Sequence, residues 1–567
     1  MISKIYLFRF VLLILPVLLL NCASNGFRNE KSNDLQTMYV GSYQDESNNI
    51  KLLASIQNQI YDLYPYLLKS TVNVGCSNNP GTGVLISEKG YVLTAKHLLE
   101  TYEIGEKIEV CLSDGSSYMA DILGQDFSLD YGLLKINSDK KFSYSKIGRS
   151  DDLSKDEALL MIGYSNSPPT LRLGFYKGIN LCGFLKTTCI MQPGDSGGPV
   201  FDLKGNVIGV SSHISNNFDE NYYVPIDDIK KNLRRLKKGE IISRELWQNN
   251  CLSIEVSKEP EYKEKPFVIK GGKKTIKSML SIYNNKYQKS VVTIKSVKEE
   301  FGYKTYGSIV NNKGIVVAKS SEVKDSITTC SLYDNTTVKC QIISRNKEND
   351  IVLLKIDTPQ KLTAIPLDFT KQVNPGDILT TITQTENTSY YSAGIVSSEC
   401  VNLRLGGIGS LGIYFEKGKR LVVDSLNEEG AAKRGGLKKG DQVIKFNNQD
   451  VSSVVKLSLL AQKTVPYELV TVSILRQGKE LSKNFEIGKL PSYGYNKVHI
   501  ADYTKVNFRN TDFPLVFMHD IAIKPEDCGT PVINYKGEVV GINIGRKDRA
   551  SSLAIPISHV KSIISKI

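Results

Sequence analysis

Three residues able to do nucleophilic and acid–base chemistry occur in a fixed order in the first half of the chain. Thr94-Ala95-Lys96-His97 comes first, then Asp130-Tyr131-Gly132-Leu133-Leu134, then Gly194-Asp195-Ser196-Gly197-Gly198-Pro199. A serine hydroxyl is a poor nucleophile until a neighbouring base takes its proton. His97 suits that task because an imidazole titrates near neutral pH. Asp130 would hold the imidazole in one tautomer and stabilise the cation that forms. Each residue also has a plainer use. A lone histidine in a β-rich region is often structural, an aspartate caps turns, and glycine-rich serine turns are common. Each plain reading stands for its residue taken alone; together, in the order His, Asp, Ser, the three are the groups that acyl transfer would use.

Elements must hold these groups in place. A helix-like stretch, Lys51 to Leu68, precedes short strands that alternate with Gly, Asn and Asp turns up to about Leu236. That pattern predicts an all-β barrel or sandwich. Residues 237–275 are charged and irregular, with Pro260 and Pro266, and read as a linker. The second half then repeats the first. Gly90-Tyr91-Val92-Leu93 matches Gly314-Ile315-Val316-Val317, and Asp130-Tyr131-Gly132-Leu133-Leu134-Lys135-Ile136 matches Asp350-Ile351-Val352-Leu353-Leu354-Lys355-Ile356. Pro199-Val200 matches Pro531-Val532, and Val224-Pro225-Ile226 matches Ile555-Pro556-Ile557.

Over about residues 55–236 the three motifs resemble the chymotrypsin-fold serine proteases, and within them the HtrA/DegP-like group. The resemblance implies that the backbone N–H groups of Gly194 and Ser196 form an oxyanion hole, where the glycine supplies a backbone shape other residues resist. It implies that Ile190 lies at the base of the pocket for the residue before the cut. No aspartate sits there, so a small or medium apolar residue is expected rather than Arg or Lys. His213 falls on the strand edging that pocket. It either narrows the pocket or faces solvent.

In the second copy the His97 position aligns with Ser321 and the Ser196 position with Cys528, while Asp350 remains. Ser321 cannot serve as a base for a thiol nucleophile. Glu526 and Thr530 replace two motif glycines. The second copy is therefore expected to be catalytically dead, either a regulatory pseudoprotease or architecture alone. After Gly394-Ile395-Val396 it is interrupted by roughly ninety residues. These contain Ser410-Leu411-Gly412-Ile413 and then Ala431-Ala432-Lys433-Arg434-Gly435-Gly436-Leu437-Lys438-Lys439-Gly440-Asp441, a helix-like segment from Val454 to Gln462, and two further strands. The insert resembles an HtrA-type PDZ domain, which implies that Ser410, Leu411, Gly412 and Ile413 form a loop for a peptide carboxylate. A closed, structural PDZ domain is the alternative.

At the N-terminus Lys4 and Arg9 precede an apolar run, Val11 to Leu20, that is short for a transmembrane helix. It ends Leu19-Leu20-Asn21-Cys22, which resembles the lipobox of bacterial lipoproteins, with Asn21 departing from the small residue preferred there. Cys22 is the expected lipidation site, and an ordinary signal peptide is the alternative. Both place the mature chain outside the cytoplasm. Export permits disulfides. Nine cysteines follow Cys22. Cys330 and Cys340 would suit a staple between neighbouring strands, and Cys182 and Cys189 flank the segment leading to Ser196, as a disulfide or as two buried thiols. No spacing suits zinc, and no metal or cofactor is implied. The net charge of +13 is spread over scattered lysines, which argues for solvated surface and against a nucleic-acid partner.

The expected fold is mainly β, with two chymotrypsin-like double β-barrel domains plus one α+β PDZ domain. The expected organisation is a lipoprotein signal peptide over 1–22, a flexible tether over 23–50, a trypsin-like protease domain over 51–236, the linker, and a degenerate copy over 276–567 interrupted by the PDZ domain at about 403–488. The expected activity is exported, membrane-anchored endopeptidase action on unfolded proteins on the periplasmic or cell-surface side. Peptide substrates or free C-termini would bind the PDZ domain, and the family resemblance leaves an oligomer open. The competing expectation is a PDZ-based binding or chaperone-like protein with little proteolysis. The intact His-Asp-Ser set separates the two, because a pure binder does not need it.

Overall fold

The computed structural model describes residues 43–566 apart from 77–80, 167, 216–219, 244–275, 281, 299–300, 325, 385–388, 404–408, 417–420, 429, 463, 465–467, 490–505 and 508. Cys22, Cys251, the signal segment and most of the expected tether and linker lie outside the described residues.

Short strands rich in Val, Ile, Leu and Thr close into four six-stranded barrels. The first barrel runs from Thr71–Val74 to Tyr131–Ile136, and its ring closes where Ser117–Asp126 pairs with both Lys107–Cys111 and Tyr131–Ile136. The second runs from Ala158–Gly163 to Asn221–Pro225, the third from Val291–Lys298 to Ile351–Asp357, and the fourth from Ile378–Gln384 to Ser552–Pro556. With strands counted within each barrel, the order around every ring is first, second, third, sixth, fifth, fourth. The internal repeat in the sequence is thus a repeat of two double barrels. Each double barrel ends in a helix, Ile226–Leu236 or Ile557–Ile564, which buries Ile226 and Ile229 or Ile557 and Val560.

The insert leaves the fourth barrel after its second strand, Ser389–Val401, and returns at its third, Val516–His519. In the first copy the matching strands, Thr170–Ile179 and Leu185–Thr187, are joined by a short loop. The insert holds a four-stranded sheet, ordered Gln449–Asp450, Gln442–Phe446, Leu469–Arg476, Lys479–Glu486, and the helices Ala431–Arg434 and Val454–Gln462. Val423, Phe446, Val470, Val472 and Phe485 bury a core of its own. The insert also touches the first barrel: the Ser452 and Ser453 hydroxyls donate to the Gly115 carbonyl at 3.0 and 2.7 Å.

The helix expected over 51–68 spans Tyr43–Ser70, so it begins inside the expected tether. Leu53, Ile60 and Leu67, seven residues apart, form one buried face. The same helix bonds to both copies. Gln59 donates to the Leu203 carbonyl of the first at 2.6 Å, and Gln57 accepts from the Ile378 N–H of the second at 2.7 Å. The copies meet through equivalent strands, Thr170–Ile179 against Ser389–Val401. The expected linker begins as a strand, Ile241–Ile242, laid parallel to Gln125–Asp126.

The staple suited to Cys330 and Cys340 is not formed, and of the two alternatives for Cys182 and Cys189 the structure has the free thiols. Among the described residues, one disulfide joins Cys76 to Cys111. Cys330 and Cys340 lie on adjacent paired strands as free thiols, and Cys182 and Cys189, on either side of the strand Leu185–Thr187, are also free.

Candidate functional site

His97 sits on a short 3-10 turn, Lys96–Leu99, directly after the third strand of the first barrel. Asp130 precedes the sixth strand and takes a positive φ of 61°, a shape that tight polar turns allow to Asp. That shape turns its carboxylate back onto the histidine segment. Asp130 Oδ1 accepts the His97 backbone N–H at 2.9 Å, and Oδ2 meets His97 Nδ1 at 2.9 Å. The hydrogen bond to Asp130 raises the His97 pKa above the ordinary 6.5, with burial opposing it. Ser212 donates to Asp130 Oδ2 at 2.7 Å. This partner was missed in the sequence, because a serine in a strand carries no distinctive signal.

Ser196 lies between the two barrels. The Thr82 N–H of the first barrel donates to the Ser196 carbonyl at 2.8 Å. Gly197, at φ 81°, is pressed so closely on the histidine segment that a Cβ there would come within 2.3 Å of Thr94 Oγ1 and 2.6 Å of Ala95 N. Only glycine fits this contact, which brings the serine turn against the chain leading to His97. Gly194 has φ 96°. Among the described residues, the N–H groups of Gly194 and Ser196 and the Ser196 hydroxyl donate to no protein atom. Three donors of this turn are thus left without a protein acceptor.

The turn is held from beneath. Asp195 is fully buried and paired with the fully buried Arg172. Arg172 also donates to the Ile190 carbonyl at 3.1 Å, to Ser165 at 2.8 Å and to Thr170 at 2.6 Å, and Asp195 Oδ2 accepts the Gln192 N–H at 2.8 Å. A buried ion pair of this kind is costly to break, since removal of one partner strands the other charge.

Ile190 borders a cleft of about 330 Å³ between the copies, which is also lined by Thr188, Ala393 and Ile521. The His213 ring stacks on Tyr222 with centroids 4.8 Å apart and meets Phe184 edge-on at 4.7 Å. Among the described residues the Leu411 and Gly412 N–H groups donate to nothing, and Gly412 has φ 70°. The Leu411 carbonyl accepts from Ala432 at 2.9 Å, and Ser410 pairs with Gly488.

The second copy keeps the frame and changes the chemistry. Asp350 has φ 55°, and its Oδ1 accepts the Ser321 N–H at 2.7 Å, as Asp130 does for His97. Its Oδ2 is taken by the Ser321 hydroxyl at 2.8 Å and by Lys319 Nζ at 2.6 Å. Lys319 is buried, where the first copy has Ala95. Cys528 is fully buried, hydrogen-bonded to Asn507 at 3.4 Å, and burial pushes its thiol up to about 12. Gly529 repeats the φ and close packing of Gly197. The Gly194 position is Glu526, inside a 3-10 turn, Pro525–Asp527. His519 is buried, bonded to Asn543 at 2.9 Å, and pushed down to about 3 by burial.

Residues 81–210 match the trypsin-like peptidase domain family, and residues 409–487 match the PDZ domain family. Among curated proteins, the chain is 25% identical over 438 residues to a probable periplasmic serine endoprotease DegP-like of Marinomonas, covering 75% of this chain and 82% of the relative. It is 34% identical over 179 residues to the protein of that description in Pseudomonas fluorescens, covering 29% of this chain and 36% of the relative. It is 28% identical over 262 residues to serine protease HTRA1 of Xenopus tropicalis, covering 44% and 54%.

Proposed function

We propose that this HtrA/DegP-like serine protease cuts peptide bonds at Ser196, with His97 as general base and Asp130 as its orienting partner. The observation that carries the reading is the pairing of His97 Nδ1 with Asp130, which leaves Nε2 for the Ser196 proton. Attack by Ser196 Oγ on the scissile carbonyl forms a tetrahedral intermediate, and its oxyanion is received by the Gly194 and Ser196 N–H groups. His97 then gives its proton to the leaving amine, and water releases the acyl-enzyme by the same relay. Ile190 and His213 border the substrate pocket in this reading.

Unfolded protein is the proposed substrate, with peptide C-termini held by the Ser410-to-Ile413 loop. The second copy is a pseudoprotease, for Lys319 and the buried Cys528 leave it neither base nor accessible nucleophile. The relatives described as periplasmic support an exported protein, and Cys22 is the proposed lipid anchor. No helix among the described residues is long and apolar enough to cross a membrane.

The test compares the chain lacking residues 1–22 with its Ser196→Ala and Cys528→Ala variants on unfolded casein. Wild type and Cys528→Ala should cleave, and Ser196→Ala should not. Cleavage that survives Ser196→Ala, or is lost only in Cys528→Ala, would overturn the assignment.

A further inference from the structure

The two copies touch at the segment that leads into Ser196, and the contacts there are polar and buried. Arg549 of the second copy donates from Nε to the Met191 carbonyl at 2.9 Å. Its guanidinium also reaches Asn221 Oδ1 at 3.4 Å, the atom that accepts the Met191 N–H at 3.0 Å. The Ala550 N–H donates to Gln192 Oε1 at 2.9 Å, and Asn166 donates to the Ser551 hydroxyl at 3.3 Å. A second grip lies nearby. Asp520 accepts the Leu173 N–H of the first copy at 2.7 Å with one oxygen and the Ile395 N–H of the second at 2.7 Å with the other.

These bonds bracket the frame beneath the nucleophile. Leu173 follows Arg172, the partner of Asp195, and Gln192 donates its N–H to Asp195. Met191, Gln192, Asp195 and Ser196 are therefore tied in one short stretch, held at its entry by Arg549 and Ala550 and from below by Asp520. Plain domain packing would be served as well by apolar side chains, which avoid the cost of burying a guanidinium. A buried arginine aimed at one loop carbonyl instead fixes the direction of a peptide group. That is the property an oxyanion hole needs before reaction.

We propose that the second copy is a built-in clamp for the nucleophile loop of the first, with Arg549 as its chief positioning residue. This rests on the reading of Ser196 as nucleophile. The clamp sets the path of the chain into Gly194 and Ser196 and touches no reacting atom. It gives the degenerate copy a task within the same chain.

The test uses the chain lacking residues 1–22 as wild type, Arg549→Ala, Arg549→Lys and Gln192→Leu. With a peptide that the wild type cuts, Arg549→Ala should lower kcat about 10- to 100-fold and leave KM within about threefold, as expected when geometry rather than binding is lost. Arg549→Lys should recover part of the loss, since an ammonium reaches one carbonyl without the guanidinium's second donor. Amide exchange over residues 191–198 should quicken about tenfold in Arg549→Ala, with Tyr91–Thr94 unchanged. Gln192→Leu should show the same pattern more weakly, and it decides the matter if Arg549→Ala does not fold. A folded variant with wild-type kcat and wild-type loop exchange overturns the clamp alone. A wild type that cuts nothing while Arg549→Ala still loosens the loop overturns the protease reading and leaves the clamp standing.

Discussion

The two copies differ least where the chain is shaped and most where protons would move. Both aspartates hold the same positive φ and accept the N–H that follows the third strand. The Ser196 and Cys528 turns each carry a glycine pressed against the second strand of the neighbouring barrel, at Thr82 and at Tyr306. Around this shared frame, a buried Lys319 pairs with Asp350 where the first copy has Ala95, Cys528 is sealed where Ser196 is half-exposed, and a 3-10 turn replaces the bend at Gly194. The strand order and the turns at Asp350 and Gly529 survive that loss. Those features hold the barrels together, whereas in the proposed mechanism the imidazole, the hydroxyl and the turn at Gly194 serve only the reaction.

The strongest way to break this contrast is at the nucleophiles. Ser196→Ala should lower kcat by about 10⁴- to 10⁶-fold, while Cys528→Ala leaves it within about twofold. In the Ser196→Ala background, Ser321→His with Cys528→Ser should restore nothing measurable on casein, because Lys319 still holds Asp350 and the Cys528 N–H is still taken by the Pro525 carbonyl. Recovery of activity there would show that side chains alone separate the copies.

A smaller effect sharpens the account of the frame. Arg172→Met leaves the buried Asp195 carboxylate unpaired, a loss of about 3–5 kcal/mol. The melting midpoint should fall by on the order of ten degrees, and Asp195→Asn added to it should recover much of the shift. An unchanged midpoint in Arg172→Met would show that the pair carries no such weight.

The mildest signal is in pH. Asp130 holds the His97 pKa above 6.5 in the folded chain, and the base must be neutral to accept the serine proton. Activity should therefore be full at alkaline pH and fall as pH drops through the raised pKa. The acid limb of kcat/KM, read with a peptide substrate, should lie above 6.5. A limb at or below 6.5 would deny the Asp130 bond its effect.

Much of this architecture was legible in the sequence because it is written locally. Strand alternation, turn residues and the order of the repeat need only neighbouring positions. The helix from Val454 to Gln462 appears where its pattern puts it, and the insert interrupts the fourth barrel after its second strand. The illegible parts are pairings between distant residues. Arg172 has nothing beside it in the sequence that marks Asp195 as its partner in the core. The Cys76–Cys111 bridge has no spacing that favours it over other pairs. Arg549 reaches a carbonyl more than three hundred residues away, so no local periodicity announces it.

The claim that only the first copy works is tested most directly by a serine-directed phosphonate, with the labelled peptide identified by mass spectrometry. The chain lacking residues 1–22 should carry one label, on the peptide containing Ser196, and the label should vanish in Ser196→Ala. Label on the Cys528 peptide, or label that persists without Ser196, would contradict it.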